Sequence, residues 1–542
     1  MTGYDISFYG SHNAALAISK DKTILEVIEI ERFINTKNNG VSQYQTFKPD
    51  DIVYFGSYLA KFITNRYGIE NFDNCYYQNT DVLIGKDRYE LEKLIPANNY
   101  VHCLHHEAHA AGAFYQSDFK KALIFSFDGG GNDGFFNIYY GSRKKGVELL
   151  ESVKNPASDS DHLFLDLGFP YMTFGHYIEE IKQEVDLSNG NLVYPGKLMG
   201  LAAFGKVRKR WIKPITDYYK CVHNGQNHLE VVKKLGDKIG LTFDRIQRLP
   251  QDIGRDLAAT SQKVFEDIFI EIAKPYFNKY PDIPVCIAGG CGLNIILNTR
   301  ISEEFNKDVF VGPNPNDCGL AAGMLLNALK PQEPSVLTYS GMPLVDIYAL
   351  PEYIHWGHYF LTQNQSLKTI VEDLIEGKII GLAHGRSEHG PRALGNRSII
   401  CNPAIKGMKD ILNAKVKNRE PYRPFAPVVR LEDVNKYFEW NKPSPFMSFC
   451  PKVKKEWKNK LKAIVHKDGT ARIQTVTKDQ NAFLYDLLTL LDKETGVGVI
   501  LNTSFNVAGK PILNSIKDAF EIFQNTEMDC LLVEETYMQK IK

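Results

Sequence analysis

The 542-residue sequence lacks an excess charge of either sign: 64 Lys and Arg balance 64 Asp and Glu, and the isoelectric point is near 7.2. That balance argues against a globally basic nucleic-acid binder and leaves open only a local cationic groove. No apolar run approaches the roughly 18 residues of a membrane span, and Met1 to Asp5 lacks the basic and apolar regions of a signal peptide, so a cytoplasmic protein is expected. The nine cysteines stand singly with no CxxC pair, which suggests reduced buried thiols and neither a zinc knuckle nor a disulfide framework. A Walker lysine motif and a GxGxxG with a following acid are also missing, so neither a P-loop nor a dinucleotide fingerprint is present. No Ser-His-Asp, Cys-His or paired-carboxylate hydrolase pattern stands out, and covalent catalysis is not the reading.

What is present is an ordinary globular composition, 44% apolar and 24% charged, long enough for three or four structural units. The opening reads as short strands over Asp5–Ser19 and Ile24–Arg32 around a Gly10-Ser-His-Asn13 turn. Lys121–Asp128, the Gly129-Gly-Gly-Asn-Asp-Gly134 turn and Phe135–Tyr140 repeat that plan, which points to a duplicated α/β domain. A helix is expected from about His105, and Tyr100–Leu104 as the strand leading into it. Val285–Ala288 and Val309–Val311 are short buried strands running into glycine loops and then helices, the second being Leu320–Leu329. Strands alternating with helices, with glycine loops at the strands' carboxyl ends, is the doubly wound pattern that binds ligands at those loops. The stretch from Lys330 to Pro343 reads as a linker between 1–335 and 344–542.

Four features could carry chemistry. His105 and His109, four apart on one helix face, suit either a shared metal ion or two hydrogen-bonded core histidines, whereas His102 and His106 lie off that face and read as structural. Asp128 and Asp317, each in a loop after an apolar strand, could complete a site for a ferrous, zinc or manganese ion. The loops at Gly129-Gly130-Gly131, Gly289-Gly290 and Gly312 allow backbone amides to approach phosphate; any one is explained by a turn, but three together favour a nucleotide site. From His384 to Arg430, ten Lys and Arg against three acids give a local cationic surface of about +7. Its charges, Arg386, Arg392, Lys417, Arg419 and Arg423 among them, are interleaved with Gly and Pro turns, which favours an anion pocket over a solvated face. Few aromatics accompany them, only Tyr422 and Phe425, which speaks against single-strand nucleic acid. Downstream, His466 and Arg472 flank a turn, and Gly496–Ile500 reads as a strand with Asn502 and Ser504 at its carboxyl end.

In order along the chain stand His105-His-Glu-Ala-His-Ala-Ala-Gly-Ala-Phe-Tyr115, Phe127-Asp-Gly-Gly-Gly-Asn-Asp-Gly134, Gly196-Lys-Leu-Met-Gly-Leu-Ala-Ala-Phe-Gly205, Gly289-Gly-Cys-Gly-Leu-Asn294 and Pro315-Asn-Asp-Cys-Gly-Leu-Ala-Ala-Gly323. They are followed by Glu388-His-Gly-Pro-Arg-Ala-Leu-Gly-Asn-Arg-Ser398, Asn418-Arg-Glu-Pro-Tyr-Arg-Pro-Phe-Ala-Pro427, Asp468-Gly-Thr-Ala-Arg-Ile-Gln-Thr-Val476 and Asn502-Thr-Ser-Phe-Asn506. With these nine motifs the sequence resembles the O-carbamoyltransferases of the nodulation-factor, cephamycin and aminoglycoside type. The resemblance implies an α/β protein: a duplicated actin/sugar-kinase-like N-terminal domain followed by a YrdC-like α/β domain. It implies that the second domain makes carbamoyl adenylate from carbamoyl phosphate and ATP, the latter with Mg2+, and that the first transfers the carbamoyl group to an acceptor hydroxyl.

Carried over residue by residue, it implies a divalent metal, ferrous iron, on His105, His109 and Asp317 with Asp128 nearby. The nucleotide and adenylate contacts would be Gly129, Gly130, Lys197, Gly289, Gly290, Asn294, Arg386, Arg392, Lys417, Arg419, Arg423, His466, Arg472, Asn502 and Ser504. His12, with Asp128, would be catalytic, His12 as the base. Asn13 replaces the family's aspartate after that histidine, and Lys510 stands where a glutamate is usual. The expected partners are a small-molecule or nucleoside hydroxyl acceptor, no membrane, and a second copy in a homodimer. Because a carbamoyl adenylate hydrolyses readily, an enclosed path between the two sites is expected. The acceptor pocket is expected in the loops Asn35 to Asn99 and Ser152 to Tyr194. Two other readings compete: carbamoylation of a hydroxymethylated base in DNA or RNA, which the neutral isoelectric point does not encourage, and a metal-dependent sugar-kinase-like enzyme with a regulatory nucleotide-binding module.

Overall fold

The computed structural model describes residues 3–33, 35, 62–78, 95–155, 164–181, 190–221, 228–351, 359–363 and 367–541. Much of both loops expected to form the acceptor pocket lies outside these residues. The chain divides into two compact units. The first comprises Met1–Leu198, Gly205–Leu293 and Ile301–Ser340; the second comprises Gly341–Lys542 with the short segments Met199–Phe204 and Asn294–Arg300.

Two five-stranded sheets build the first unit. In one, β1 (Tyr4–Tyr9), β2 (Ala15–Lys20), β3 (Thr23–Glu29), β4 (Phe72–Gln78) and β5 (Ala97–His102) lie in the order 3-2-1-4-5. In the other, β6 (Lys121–Phe127), β7 (Phe136–Ser142), β8 (Gly146–Ser152), β9 (Val285–Ala288) and β10 (Val309–Val311) lie in the order 8-7-6-9-10. Each sheet pairs its first three strands antiparallel and its last two parallel to the first. The same order and senses therefore occur twice, which the paired strand-turn-strand passages in the sequence had suggested. In each half the fifth strand leads to one helix: α1 (His105–Gln116) follows β5, and α5 (Leu320–Leu329) follows β10.

Those two helices pack together because their contact faces are small. A Cβ on Gly323 would stand 2.2 Å from the Ala108 carbonyl oxygen, and one on Gly112 would stand 3.5 Å from the Gly323 Cα. Around this crossing, Ala110, Ala111, Phe114, Ala321, Ala322 and Leu325 form a core with Ile124 and Tyr139, each large side chain contributing about 1.5–3 kcal/mol by leaving water. Helix α1 is rich in Ala but has no cap of its own at Leu104. Its first amides are instead bound by the β6–β7 loop: Asn132 Oδ1 accepts from His105 N at 2.9 Å and Asp133 Oδ1 from His106 N at 2.9 Å. At the far end the Arg143 guanidinium caps the carbonyls of Phe114, Tyr115 and Ser117. Both ends are thus fixed by residues distant in sequence.

The second unit is built on one eight-stranded sheet: β11 (Tyr359–Gln363), β12 (Ile380–Ala383), β13 (Arg397–Cys401), β14 (Ala426–Arg430), β15 (Gln474–Val476), β16 (Val499–Ser504), β17 (Cys530–Val533) and β18 (Thr536–Lys540). Their order is 11-18-17-12-13-16-14-15. The strand expected over Gly496–Ile500 begins instead at Val499, because Gly496, at φ +71°, is the left-handed cap of α6 (Ala482–Thr495). Asn502 consequently lies within β16, and Ser504 stands at its carboxyl end as expected.

All nine cysteines are free. Among the described residues no helix is long and apolar enough to cross a membrane.

Candidate metal centre and guanidinium cluster

In the first unit the ends of three elements converge. His105 and His109 come from the first turns of α1, Asp128 follows β6, and Asp317 opens the turn Asp317–Gly319 that leads into α5. One ligand atom from each lies within 4.8 Å of every other. The His105 and His109 Nε2 atoms are 3.1 Å apart, and Asp317 Oδ1 lies 3.4 Å from His109 Nε2 and 3.7 Å from His105 Nε2. Asp128 Oδ2 lies 3.5 Å from His109 Nε2. His105, His109 and Asp317 are each 3–4% exposed and Asp128 is partly buried, so two carboxylates and two imidazoles crowd together largely out of water. Like charges so placed repel strongly unless a cation lies between them, and an N2O2 donor set suits a ferrous, zinc or manganese ion. The residues fit a divalent metal.

The charge balance follows the same logic. Burial pulls His105 down to about 4. Burial acts on His109 in the same direction, but hydrogen bonds to Asp128 and Asp317 outweigh it and push His109 up to about 9. Burial alone would raise Asp317; His12, His105 and His109 instead hold it well below the usual carboxylate range. Asp128 is likewise lowered by His109 against burial and the neighbouring Asp317.

The glycine loops serve this centre. Gly129 N donates to Asp128 Oδ1 at 2.6 Å and Gly290 N donates to Asp128 Oδ2. Gly289 adopts φ +84° with its α-carbon so close to β6 that a Cβ would stand 2.1 Å from the Phe127 carbonyl. Gly130 shares the Asp128 loop. His12 joins the site from the β1–β2 turn, its Nδ1 3.4 Å from Asp317 Oδ2. Asp317 thereby gives His12 the carboxylate neighbour that Asn13 does not. Asn13 sits at φ +58°, a conformation asparagine tolerates. His106 is held by Ser126 Oγ and the Gly134 carbonyl, both at 2.9 Å, as a structural histidine. Lys197 is buried on α3 (Tyr194–Ala202), and Asn294 caps α4 (Ile295–Glu304) by accepting from Leu297 N at 3.0 Å.

Two residues absent from the sequence-based expectation stand here. Tyr9 Oη donates to Asp317 Oδ2 at 2.5 Å, and Gln78 Nε2 lies 3.0 Å from His105 Nδ1. Burial and then Asp317 raise Tyr9 well above the usual phenol range, which keeps it a donor. The only sequence signal was Tyr9's position at the strand end before the His12 turn; Gln78 gave none.

In the second unit four guanidiniums gather. Arg472 is pushed well down by burial and then by Arg392, Arg419 and Arg423; Arg392 is lowered to about 10 by burial and Arg423, and Arg419 to about 9 by burial and Arg423. Guanidinium stays protonated in proteins, so this repulsion is a cost that a bound anion relieves. The Nε atoms of Arg419 and Arg472 are buried with no hydrogen-bond partner among the described residues. Arg419 stacks on Phe425 at 4.0 Å. His466 Nε2 lies 3.2 Å from the Tyr422 carbonyl.

Other expected anion contacts are differently employed. Lys417 Nζ donates to the Ser504 carbonyl at 2.8 Å and to the Asn506 carbonyl and Oδ1 at 2.7 Å, tying two loops together. Ser504 Oγ donates to Asn506 Oδ1 at 2.7 Å, and Asn502 Nδ2 to the Ala393 carbonyl at 3.0 Å and Gln474 Oε1 at 2.8 Å. Arg386 Nε donates to the Gly341 carbonyl at 2.9 Å. Part of the positive charge counted between 384 and 430 is therefore committed to internal contacts, while Arg392, Arg419 and Arg423 belong to the guanidinium cluster. Arg397 is fully buried, donating to the carbonyls of His384 and Gly385 among others, while Glu388 Oε1 accepts the amides of Leu394, Asn396 and Arg397.

Family models described as the carbamoyltransferase N-terminus and C-terminus match residues 58–326 and 371–540. The sequence is similar to nodulation protein NolO of Bradyrhizobium diazoefficiens, at 33% identity over 80% of this chain and 78% of that protein. It is similar to nodulation protein NolNO of Sinorhizobium fredii at 33% identity over 80% of this chain, spanning 63% of that longer protein. A 3'-hydroxymethylcephem-O-carbamoyltransferase of Streptomyces clavuligerus is 34% identical over 52% of this chain and 53% of its own length. Among solved structures, full-length HypF in the phosphate- and nucleotide-bound form aligns over 62% of this chain and 56% of its own at 13% identity and a TM-score of 0.35.

Proposed function

The chain belongs to the carbamoyltransferase family, and from that premise we propose that it is a cytoplasmic ATP- and carbamoyl phosphate-dependent O-carbamoyltransferase acting on a small-molecule or nucleoside hydroxyl. The duplicated strand order supports an actin/sugar-kinase-like reading of residues 1–335, and 344–542 is read as a YrdC-like adenylate-forming domain.

The observation that carries the proposal is the cluster of Arg392, Arg419, Arg423 and Arg472, whose mutual repulsion persists although Arg423 pairs with Glu420 at 3.5 Å. Carbamoyl phosphate and MgATP repel each other in solution, and these guanidiniums offset that repulsion while holding both in reach. Carbamoyl phosphate loses its phosphate to water, and the resulting carbamate oxygen bonds to the α-phosphorus of ATP. The bond to the β-phosphate oxygen breaks and pyrophosphate leaves, its growing charge stabilised by the same forks. In the transfer step the acceptor oxygen attacks the carbamoyl carbon, AMP departs, and His12 takes the hydroxyl proton. Asp317, 3.4 Å from His12 Nδ1, orients the ring and stabilises it once charged. A ferrous or similar ion on His105, His109, Asp128 and Asp317 would, when bound, supply Lewis acidity toward the carbamoyl or phosphate oxygen.

The test is pyrophosphate release from ATP by the full chain with ferrous ion, with and without carbamoyl phosphate and with no acceptor. Release that requires carbamoyl phosphate is the expected result. Its absence while ATP still binds would favour the kinase-like reading.

A further inference from the structure

The metal ligands come from α1 and from the second sheet's strand ends, yet the first sheet also reaches the centre through Tyr9 and Gln78. These are the last residues of β1 and β4 and are direct neighbours across the parallel pair. Tyr9 Oη meets Asp317 Oδ2 at 2.5 Å, and His12 Nδ1 meets the same oxygen at 3.4 Å, so Oδ1 alone is left toward His105 and His109. Gln78 stands 3.0 Å from His105 Nδ1, on the opposite side of the ring from the Nε2 that faces His109. An imidazole that offers Nε2 to a cation carries its proton on Nδ1 and needs an acceptor there. The Gln78 Oε1 atom is buried with no partner among the described residues. A half-turn of the carboxamide brings that oxygen to Nδ1 and satisfies both groups.

We infer that Tyr9 and Gln78 are positioning residues of the metal centre, Tyr9 making Asp317 a one-oxygen ligand and Gln78 fixing the Nδ1–H tautomer of His105. The inference rests on the metal reading of the proposed function and adds to it a division of labour between the two halves of the duplicated fold. The half that carries no carboxylate ligand orients one of its own histidines through Gln78 and a carboxylate of the other half through Tyr9.

The test uses cobalt(II) as probe, titrated into the metal-free full chain and followed by its visible absorbance with a competing chelator, no turnover being needed. Tyr9→Phe and Gln78→Leu are each expected to weaken cobalt binding on the order of ten- to a hundredfold. Gln78→Glu, which keeps an acceptor at Nδ1, is expected to retain near wild-type affinity. Ser7→Ala removes a hydrogen bond from the same strand to the Ala321 carbonyl without touching the centre, and should leave affinity unchanged. Affinities within twofold of wild type for both Tyr9→Phe and Gln78→Leu would overturn the inference, as would an equal loss in Ser7→Ala. If Tyr9→Phe does not fold, the contrast between Gln78→Leu and Gln78→Glu decides. Wild-type protein that takes up no cobalt would overturn the metal reading and the inference together, whereas wild-type binding with indifferent variants would overturn the inference alone.

Discussion

Removing the Arg472 side chain leaves the other three guanidiniums in place but takes away the most strongly crowded fork. Arg472→Ala should lower carbamoyl phosphate-dependent pyrophosphate release on the order of a hundredfold or more, the usual loss when one donor to a developing anion is deleted. Arg472→Lys should restore only part of it, because an ammonium keeps the charge but not the bidentate geometry. Asp317→Asn should abolish stoichiometric metal uptake, read by elemental analysis of the purified protein, while pyrophosphate release persists. At this scale much of the site was legible. The His105 and His109 spacing and the strand-end positions of Asp128 and Asp317 identified residues that the structure brings together. Tyr9 and Gln78 were not legible, since a tyrosine or glutamine ending a strand is commonplace and Tyr9's partner is 308 residues away. Lys417 shows the opposite limit: its charge suggested phosphate, but three oxygens of the chain already engage it.

Helices and loops decide whether those residues meet. Because a Cβ on Gly323 would collide with the Ala108 carbonyl, Gly323→Ala should push α1 from α5 and cost about 1–3 kcal/mol, read as a lower melting temperature together with reduced metal uptake. A second element-scale outcome concerns α2 (Gly168–Thr173), whose first turn is capped by Asp166 through Phe169 N at 3.0 Å. Burial pushes Asp166 up to about 7 despite the amides of Phe169 and Gly168. A carboxyl raised in the folded state binds its proton more tightly there than when unfolded, so its contribution to stability is full at low pH and is lost as pH rises toward 7. The loss is at most about 4 kcal/mol for a shift of that size. Asp166→Asn lacks this titration, and its melting temperature relative to wild type should rise between pH 5 and pH 8; a constant difference would contradict the assignment. Periodicity located most strands of the first unit, Val285–Ala288 and Val309–Val311 to the residue, but only β16 among the eight of the second. It missed β8, an edge strand whose mostly exposed residues carry little apolar alternation. It also could not show that Asn132 and Asp133 cap α1, a contact made only in the folded chain.

Over the whole molecule, a repeated strand-turn-strand passage was enough to suggest duplication, because the turn residues and flanking apolar runs are local. The strand order itself, and the grouping of Met199–Phe204 and Asn294–Arg300 with the second unit, depend on contacts between distant segments and left no local trace. The proposed function requires that one chain make an activated carbamoyl group and then hand it to a hydroxyl. The most direct measurement supplies the full chain with ferrous ion, MgATP, radiolabelled carbamoyl phosphate and hydroxylamine as a trapping nucleophile, and counts labelled hydroxyurea against pyrophosphate. Equal amounts of the two, both dependent on ATP and both lost in Arg472→Ala, are the predicted result. Labelled hydroxyurea that forms above the enzyme-free background equally without ATP, or pyrophosphate that forms equally without carbamoyl phosphate, would contradict it.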